Sequence, residues 1–427
     1  MEGSFLYREG QLFCGDVPVA EVVREHGTPV YVYSAAAIRQ NFRSLRDTFA
    51  EANPLICYAV KANFSLAICK LLKEEGAGFD IVSGGELFRV LKVGADPRTV
   101  CYAGVGKTNS EIEYALKSGV LMLNVESRPE LERVSAVADR LGIEAAVALR
   151  LNPDVDAGAH RHTTTGKREN KFGIDFDSAV QMMDSMKALP MLRLVGVHIH
   201  IGSPVWTPEP YGRALERVVP FIQFCRSRGH RIEWLDIGGG FGIEYRGGES
   251  ATPADYARTI LPYIRRSGCR AILEPGRYLV GNAAVLITRV QYVKETGVKT
   301  FVVCDAGMND LIRPALYDSF HRIWPVKSGE PVPFGAEALD ARTDGRVVVD
   351  VVGPICESGD YMAKDRPLPP VRQDDLLAVF SAGAYGYSMS SNYNSRPRAC
   401  EVMIDGGSAR VIRQRESYED LIASEQY

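Results

Sequence analysis

From residue 55 onward, apolar and polar positions fall into a repeating order of short apolar run, polar loop and amphipathic stretch. The runs at 55–60, 78–82, 99–104, 121–126, 145–151, 194–201, 234–237 and 271–274 are close to continuously apolar, as strands covered on both faces are. The stretches between them carry helical periodicity and predict helices over 66–75, 86–93, 110–117 and 129–141, then at about 175–188, 211–228 and 254–267. Gly76, Gly94, Gly119 and Gly142 follow the first four, where a left-handed cap is expected. Strands alternating with helices require a parallel sheet, open or closed. Eight repeats over about 250 residues favour a closed (β/α)8 TIM barrel. The glycine and polar residues follow the strands, which is the face of a barrel that carries active sites.

Past residue 283 the rhythm changes. Runs at 285–290, 300–303, 347–352, 376–380 and 399–404 are strand-like and separated by Gly, Pro and Asp. The start of the chain has the same character, with Phe5-Leu6-Tyr7 and Val30-Tyr31-Val32-Tyr33, before Ser34 caps a helix reaching to about Ala50. The expectation is an α/β barrel domain over 37–282 and a β-rich barrel or sandwich domain built from 1–36 and 283–427. The long connections 305–326 and 383–398 are the kind that more often serve function than not.

Composition narrows the class. A net charge of −3 over 427 residues offers no basic field for nucleic acid or an anionic membrane. No apolar run approaches the roughly 20 residues of a membrane span. Met1-Glu2-Gly3-Ser4-Phe5 lacks the basic-then-apolar order of a signal peptide. Nine scattered cysteines without a CxxC pair suit a reducing compartment, so a cytoplasmic location is expected.

A few residues stand out. Lys61 closes the apolar run 55–60, where an ammonium is costly unless it is paired, snorkels to water, or acts as a Schiff-base nucleophile of lowered pKa. Gly238-Gly239-Gly240-Phe241-Gly242 follows the seventh strand; it matches neither the dinucleotide fingerprint nor a P-loop, but lies where barrels bind phosphate. His198 and His200 share one face of the sixth strand, so a metal is conceivable, although no further ligand stands nearby in sequence; no metal is expected. Ser203 can donate to a phosphate, and an imidazole can stack on a flat ligand. Glu274-Pro275-Gly276-Arg277 places a carboxylate and a guanidinium after the eighth strand, where they must pair or be used. Asp80 and Arg150 sit at strand ends with pairing as the simpler reading. Cys356-Glu357-Ser358-Gly359-Asp360 reads as a polar loop around a cysteine. An amine, a phosphate cradle and a carboxylate for a pyridine nitrogen are together what pyridoxal phosphate requires.

The motifs carrying these residues are YAVKAN, FDIVSGGEL, ENKFGI, HIHIGS, DIGGGFG, EPGR, MNDLIRPALY, CESGD and GAYGYSMSSNYNSRP. In content and order the chain resembles the diaminopimelate decarboxylases, fold-type III pyridoxal-phosphate enzymes, over essentially its whole length. The resemblance implies pyridoxal 5'-phosphate bound covalently at Lys61 and His200 stacked on its ring. Ser203, Gly238, Gly239 and Gly240 would bind phosphate with the turn Glu274, Pro275, Gly276 and Arg277. Glu274 would keep the pyridine nitrogen protonated. Cys356 from a partner subunit would be the catalytic acid. Arg277, Arg313, Tyr317, Glu357 and Tyr385 would hold the substrate, with Tyr385 also near the cofactor. It further implies a head-to-tail homodimer with active sites at the interface. Two features depart from the family's pattern: Pro204 where glutamine is usual, and the stretch 160–167, where His162 and Lys167 stand in a loop expected to cover the site.

The implied reaction is decarboxylation of meso-2,6-diaminopimelate at its D centre to L-lysine and CO₂. The nearest alternative is a decarboxylase of another amino acid, of ornithine or arginine type or from secondary metabolism. Ornithine decarboxylases of this fold read CD rather than CE in the cysteine loop and lack the arginine of IRPALY. A catalytically dead homologue acting as a binding protein would be expected to have lost Lys61 or Cys356.

Overall fold

The computed structural model describes residues 5–158, 171–248, 250–329, 332 and 345–426. The chain folds as two compact units. One comprises Met1–Gln40, Ile243–Glu249 and Leu279–Tyr427, and the other Asn41–Gly242 and Ser250–Tyr278.

The chain opens with an antiparallel meander of β1 (Phe5–Arg8), β2 (Gln11–Cys14) and β3 (Val17–Pro18), followed by the wholly buried β4 (Val30–Ser34). Ser34 caps the next helix as expected, its Oγ accepting from the Ala37 N–H at 3.2 Å.

The second unit is the barrel. β5 (Leu55–Ala59), β6 (Gly78–Ile81), β7 (Val100–Tyr102), β8 (Met122–Val125), β9 (Ala145–Leu151), β10 (Leu192–Ile199), β11 (Trp234–Asp236) and β12 (Arg270–Leu273) close into a ring of parallel neighbours. β12 returns to β5 through Ile272 beside Leu55. Cys57, Cys101, Met122, Ala148, Val195, Trp234 and Ile272, each from a different strand, pack into one buried cluster, so the ring is filled rather than open. Five of the barrel helices start at a polar residue that supplies a side-chain cap. Thr108 and Glu111 make a reciprocal capping box, and Ser83, Ser127 and Asp175 each accept a backbone N–H in the first turn. Gly76, Gly94, Gly119 and Gly142 all have positive φ, as a left-handed helix exit requires.

In the first unit, β13 (Ala284–Glu295), β14 (Thr300–Cys304), β15 (Ile323–Pro325), β16 (Val347–Val352), β17 (Tyr361–Leu368), β18 (Leu376–Val379), β19 (Cys400–Asp405) and β20 (Ser408–Arg413) build the larger sheet. Its path is β17-β16-β14-β13-β4-β19-β20, with β18 also on β13 and β15 on β18. β4 lies between β13 (antiparallel) and β19 (parallel) in this sheet, while β1–β3 form a separate three-stranded sheet of the same unit. The apolar pattern does not reveal β17 or β20. Both are ends of that path, where one flank is unpaired and charged residues or Pro367 are tolerated. The connection 305–326 contains a short helix, Arg313–Tyr317, and β15. No helix among the described residues is long and apolar enough to cross a membrane.

Candidate active site

The barrel unit gathers the first group of expected residues at the C-terminal ends of its strands. β5 stops at Ala59, and a single 3-10 turn, Val60–Ala62, carries Lys61 just past the strand end. Lys61 Nζ donates to Asp80 Oδ2 at 2.6 Å; the lysine side chain is 36% exposed and the aspartate 0%. Burial, then the Glu274 carboxylate, push Asp80 up to about 7 against the pull of Lys61. The ion pair therefore places a poorly solvated carboxylate beside a partly solvated amine, which is a means of holding the amine in one position.

After β11 the chain makes its closest backbone approaches. A Cβ on Gly239 would lie 2.0 Å from the Glu274 carbonyl oxygen. One on Gly238 would lie 2.4 Å from the Ile199 oxygen, and one on Gly240 2.3 Å from the Gly202 oxygen. Gly238 and Gly240 also have φ of +72° and +103°. Only glycine fits, and three consecutive backbone positions are left without side chains, as a phosphate cradle needs. Ser203 stands in the loop after β10, its Oγ accepting from Arg277 at 3.4 Å. Pro204 leaves that loop anchored: the Val205 N–H donates to the Gly240 oxygen at 2.7 Å.

His200 accepts the Gly239 N–H on Nδ1 at 3.2 Å. Burial, with Arg150 and Lys61 nearby, holds its pKa well below the ordinary 6.5, so the ring is neutral with its proton assigned to Nε2. A neutral imidazole is suited to stacking on an aromatic cation. Arg150 itself pairs with Glu126 at 2.7 Å, the simpler of its two readings.

Glu274 is buried, and its Oε2 lies 3.4 Å from His198 Nε2. Spacing along one strand pairs His198 with His200; the fold instead joins His198 to Asp236 and Glu274, with a ring nitrogen and a carboxylate oxygen of each acid all within 4.8 Å of one another. This acidic company, brought in from β11 and from the end of β12, is invisible in local sequence. The Glu274 carboxyl sits below the usual carboxylate range. Burial alone would raise it, but His198 and Lys61 outweigh that. These residues fit pyridoxal phosphate: an amine at a strand end, a cradle that any Cβ would fill, and a buried anion with one oxygen, Oε1, lacking a hydrogen-bond partner.

The remaining expected residues lie in the first unit. Arg313 is 5% exposed and firmly held. It approaches His321 Nε2 at 2.8 Å and donates to Ser319 Oγ at 3.2 Å, and its guanidinium lies 5.0 Å from the Tyr245 ring centre. His321 Nδ1 lies 2.8 Å from the Phe380 carbonyl, which can only accept, so Nδ1 carries the proton and Nε2 accepts from Arg313. Tyr317 is half-buried, and Tyr385 is a non-glycine residue at φ +57°, a sparsely populated conformation for a bulky side chain. Cys356 and Glu357 are exposed. Their loop is fixed from behind: Asp360 accepts the Met308 and Ile355 N–H groups at 2.6 Å each, the Cys356 N–H donates to Asn394 Oδ1 at 3.0 Å, and Tyr393 donates to Glu357. Nothing in the local sequence singles out His321; Asn394 and Tyr393 fall within the GAYGYSMSSNYNSRP motif with no task of their own, and Asp360 reads there only as polar. Gly307 and Gly353 carry a trace of this arrangement, since a Cβ on either would meet the Asp360 carboxylate within 2.9 Å. The stretch 160–167 lies outside the described residues.

A TIM barrel with this amine, cradle and anion is the frame of a pyridoxal enzyme, and residues 35–281 match the family described as pyridoxal-dependent decarboxylase, pyridoxal binding domain. Among curated proteins, the diaminopimelate decarboxylase of Aquifex aeolicus is 46% identical over 417 residues, 97% of this chain and 96% of that protein. Among solved structures, diaminopimelate decarboxylase from Helicobacter pylori complexed with L-lysine gives a TM-score of 0.89 at 40% identity, covering 95% of this chain and 98% of that one. The enzyme from M. jannaschii in co-complex with L-lysine gives 0.91 at 34%, covering 99% and 98%. Within the pyridoxal-dependent decarboxylases, the chain belongs to the diaminopimelate decarboxylase family.

Proposed function

We infer that the chain converts meso-2,6-diaminopimelate to L-lysine and CO₂, the last step of lysine biosynthesis, with pyridoxal 5'-phosphate as cofactor. The observation that carries this reading is near-full-length similarity to diaminopimelate decarboxylases in a chain that keeps both Lys61 and the Cys356–Glu357 loop.

Lys61 would hold the cofactor covalently, Ser203 and Gly238–Gly240 with the 274–277 turn would hold its phosphate, His200 its ring and Glu274 its pyridine nitrogen. When bound, the cofactor supplies an electron sink for the pair left behind by departing CO₂. Asp80 positions the Lys61 amine. Cys356 delivers the proton to the carbon that has lost its carboxylate. Arg313 takes the distal carboxylate with its planar fork, and Glu357, held by Tyr393, takes the distal ammonium. Arg277, Tyr317 and Tyr385 complete the amino-acid site.

The active unit in this reading is a homodimer in which Cys356 and Glu357 serve the partner's barrel; their exposure on the single chain supports it. Nine unpaired cysteines support a cytoplasmic setting. Decarboxylation of meso-diaminopimelate, ornithine, arginine and lysine by the purified holoenzyme tests the assignment. kcat/KM is expected to be highest for diaminopimelate, and a preference for any of the others would overturn it.

A further inference from the structure

Within the barrel, His198 and Asp236 are buried titratable groups to which the reaction above gives no task. They are register neighbours on β10 and β11, 1% and 0% exposed. Asp236 Oδ1 accepts the Gly238 N–H at 3.0 Å, and Oδ2 lies 3.5 Å from Asn124 Nδ2. His198 directs Nε2 at Glu274 Oε2 from 3.4 Å, yet neither ring nitrogen has a hydrogen-bond partner, and neither has Glu274 Oε1.

Two carboxylates this close in a dry core cannot both be ionised. Burial and the Glu274 charge push Asp236 well above the carboxylate range, so it holds its proton. The groups facing Glu274 are His198, His200, Lys61 and Asp236, with Asp80 adding like charge and the buried thiols of Cys57 and Cys101 close by; those facing His198 are Glu274, His200, Arg150 and Glu126. The cluster thus carries a single anion, on Glu274, with an imidazole behind it and a neutral acid beside it.

We propose that His198 is a positioning residue that keeps Glu274 anionic and aimed, with Asp236 as a neutral hydrogen-bond donor to it, so that Glu274 retains a proton on the cofactor's pyridine nitrogen. The proposal rests on the placement of Glu274 given above. A carboxylate alone in so dry a setting would rather take up that proton itself, and the sink would weaken; His198 removes that option.

The test is the ¹⁵N chemical shift of holoenzyme loaded with pyridoxal phosphate labelled at the pyridine nitrogen, followed against pH. Taking the imidazole from contact with a carboxylate moves its proton equilibrium by about 1–2 pH units, roughly 10- to 100-fold. H198Q is expected to lower the midpoint of pyridine deprotonation by that amount and to reduce kcat with KM little changed. D236N exchanges one neutral donor for another and is expected to leave the midpoint at its wild-type value. E274Q serves as the reference and is expected to lose the nitrogen proton. A midpoint moved in E274Q but not in H198Q overturns the proposal alone. A midpoint unmoved in both overturns the placement of Glu274 and the proposal with it. Should H198Q not fold, D236N still decides: a shift as large as that of E274Q makes Asp236 the anion and overturns the scheme. A stoichiometric divalent metal in the holoenzyme, whose chelation moves the ¹⁵N signal, would assign the cluster to that ion instead.

Discussion

Arg313→Ala removes the group proposed to read the distal carboxylate, and its consequences separate into two measurable parts. Arg313 is 5% exposed, and its guanidinium donates to His321 Nε2, whose other nitrogen is committed to the Phe380 carbonyl. Truncation leaves that buried acceptor unmet, a loss of about 1–3 kcal/mol. Over 427 residues, at about 2.1 cal/mol/K of unfolding entropy per residue, that corresponds to a fall in Tm of roughly 1–3 °C. The binding term is larger. Removing one partner of a buried charged hydrogen bond costs about 2–5 kcal/mol, or roughly 30- to several-thousand-fold in affinity. Decarboxylation at the D centre leaves the other amino-acid end intact, so the product L-lysine retains the carboxylate in question, whereas cadaverine lacks it. Competitive inhibition by the two compounds isolates the contact. The lysine Ki is expected to rise by that factor in the mutant, the cadaverine Ki to stay near its wild-type value, and cofactor absorbance to be preserved. Arg313→Lys keeps the charge but not the fork and is expected to fall between them. A lysine Ki that does not move, or a cadaverine Ki that rises in step with it, would refute the reasoning.

Gly239→Ala must displace the Glu274 carbonyl from 2.0 Å, and overpacking of this kind costs about 1–3 kcal/mol; cofactor affinity measured by titration of apoprotein is expected to fall, and unchanged affinity would show that the cradle is not required. Asp80 sits at about 7 rather than 3.8, so the folded chain keeps a proton there that the unfolded chain has released between those values. Stability of the apoprotein is therefore expected to fall as pH rises through that window, and Asp80→Asn to flatten the decline; an equal slope of Tm against pH in both proteins would contradict the shift. Cys356→Ala is expected to bind cofactor normally and turn over slowly, and mixing it with Lys61→Ala to restore part of the activity through hybrid dimers. No recovery after verified subunit exchange would argue against a shared site.

The barrel is legible in sequence because its strands are covered on both faces and read as unbroken apolar runs, each closed by a glycine or a polar cap. β17 and β20 are not legible, because a strand at the end of a sheet has one open flank and no need of a continuous apolar run. The same division runs through the site. Lys61, the 238–240 glycines and Glu274 announce themselves as costly or flexible residues at strand ends. His198 does not, since the partners that give it meaning, Asp236 on β11 and Glu274 at the end of β12, are distant in sequence and meet it only in the folded sheet. His321 is a lone histidine in a loop, and nothing local marks it as the acceptor that orients Arg313.

Decarboxylation at the D centre is most directly tested by supplying the purified, cofactor-loaded protein with meso-diaminopimelate labelled in the carboxylate of that centre and following both products. One labelled CO₂ and one unlabelled L-lysine are expected per substrate consumed, with no turnover after Lys61→Ala. Label retained in lysine, or consumption of substrate without lysine, would contradict the assignment.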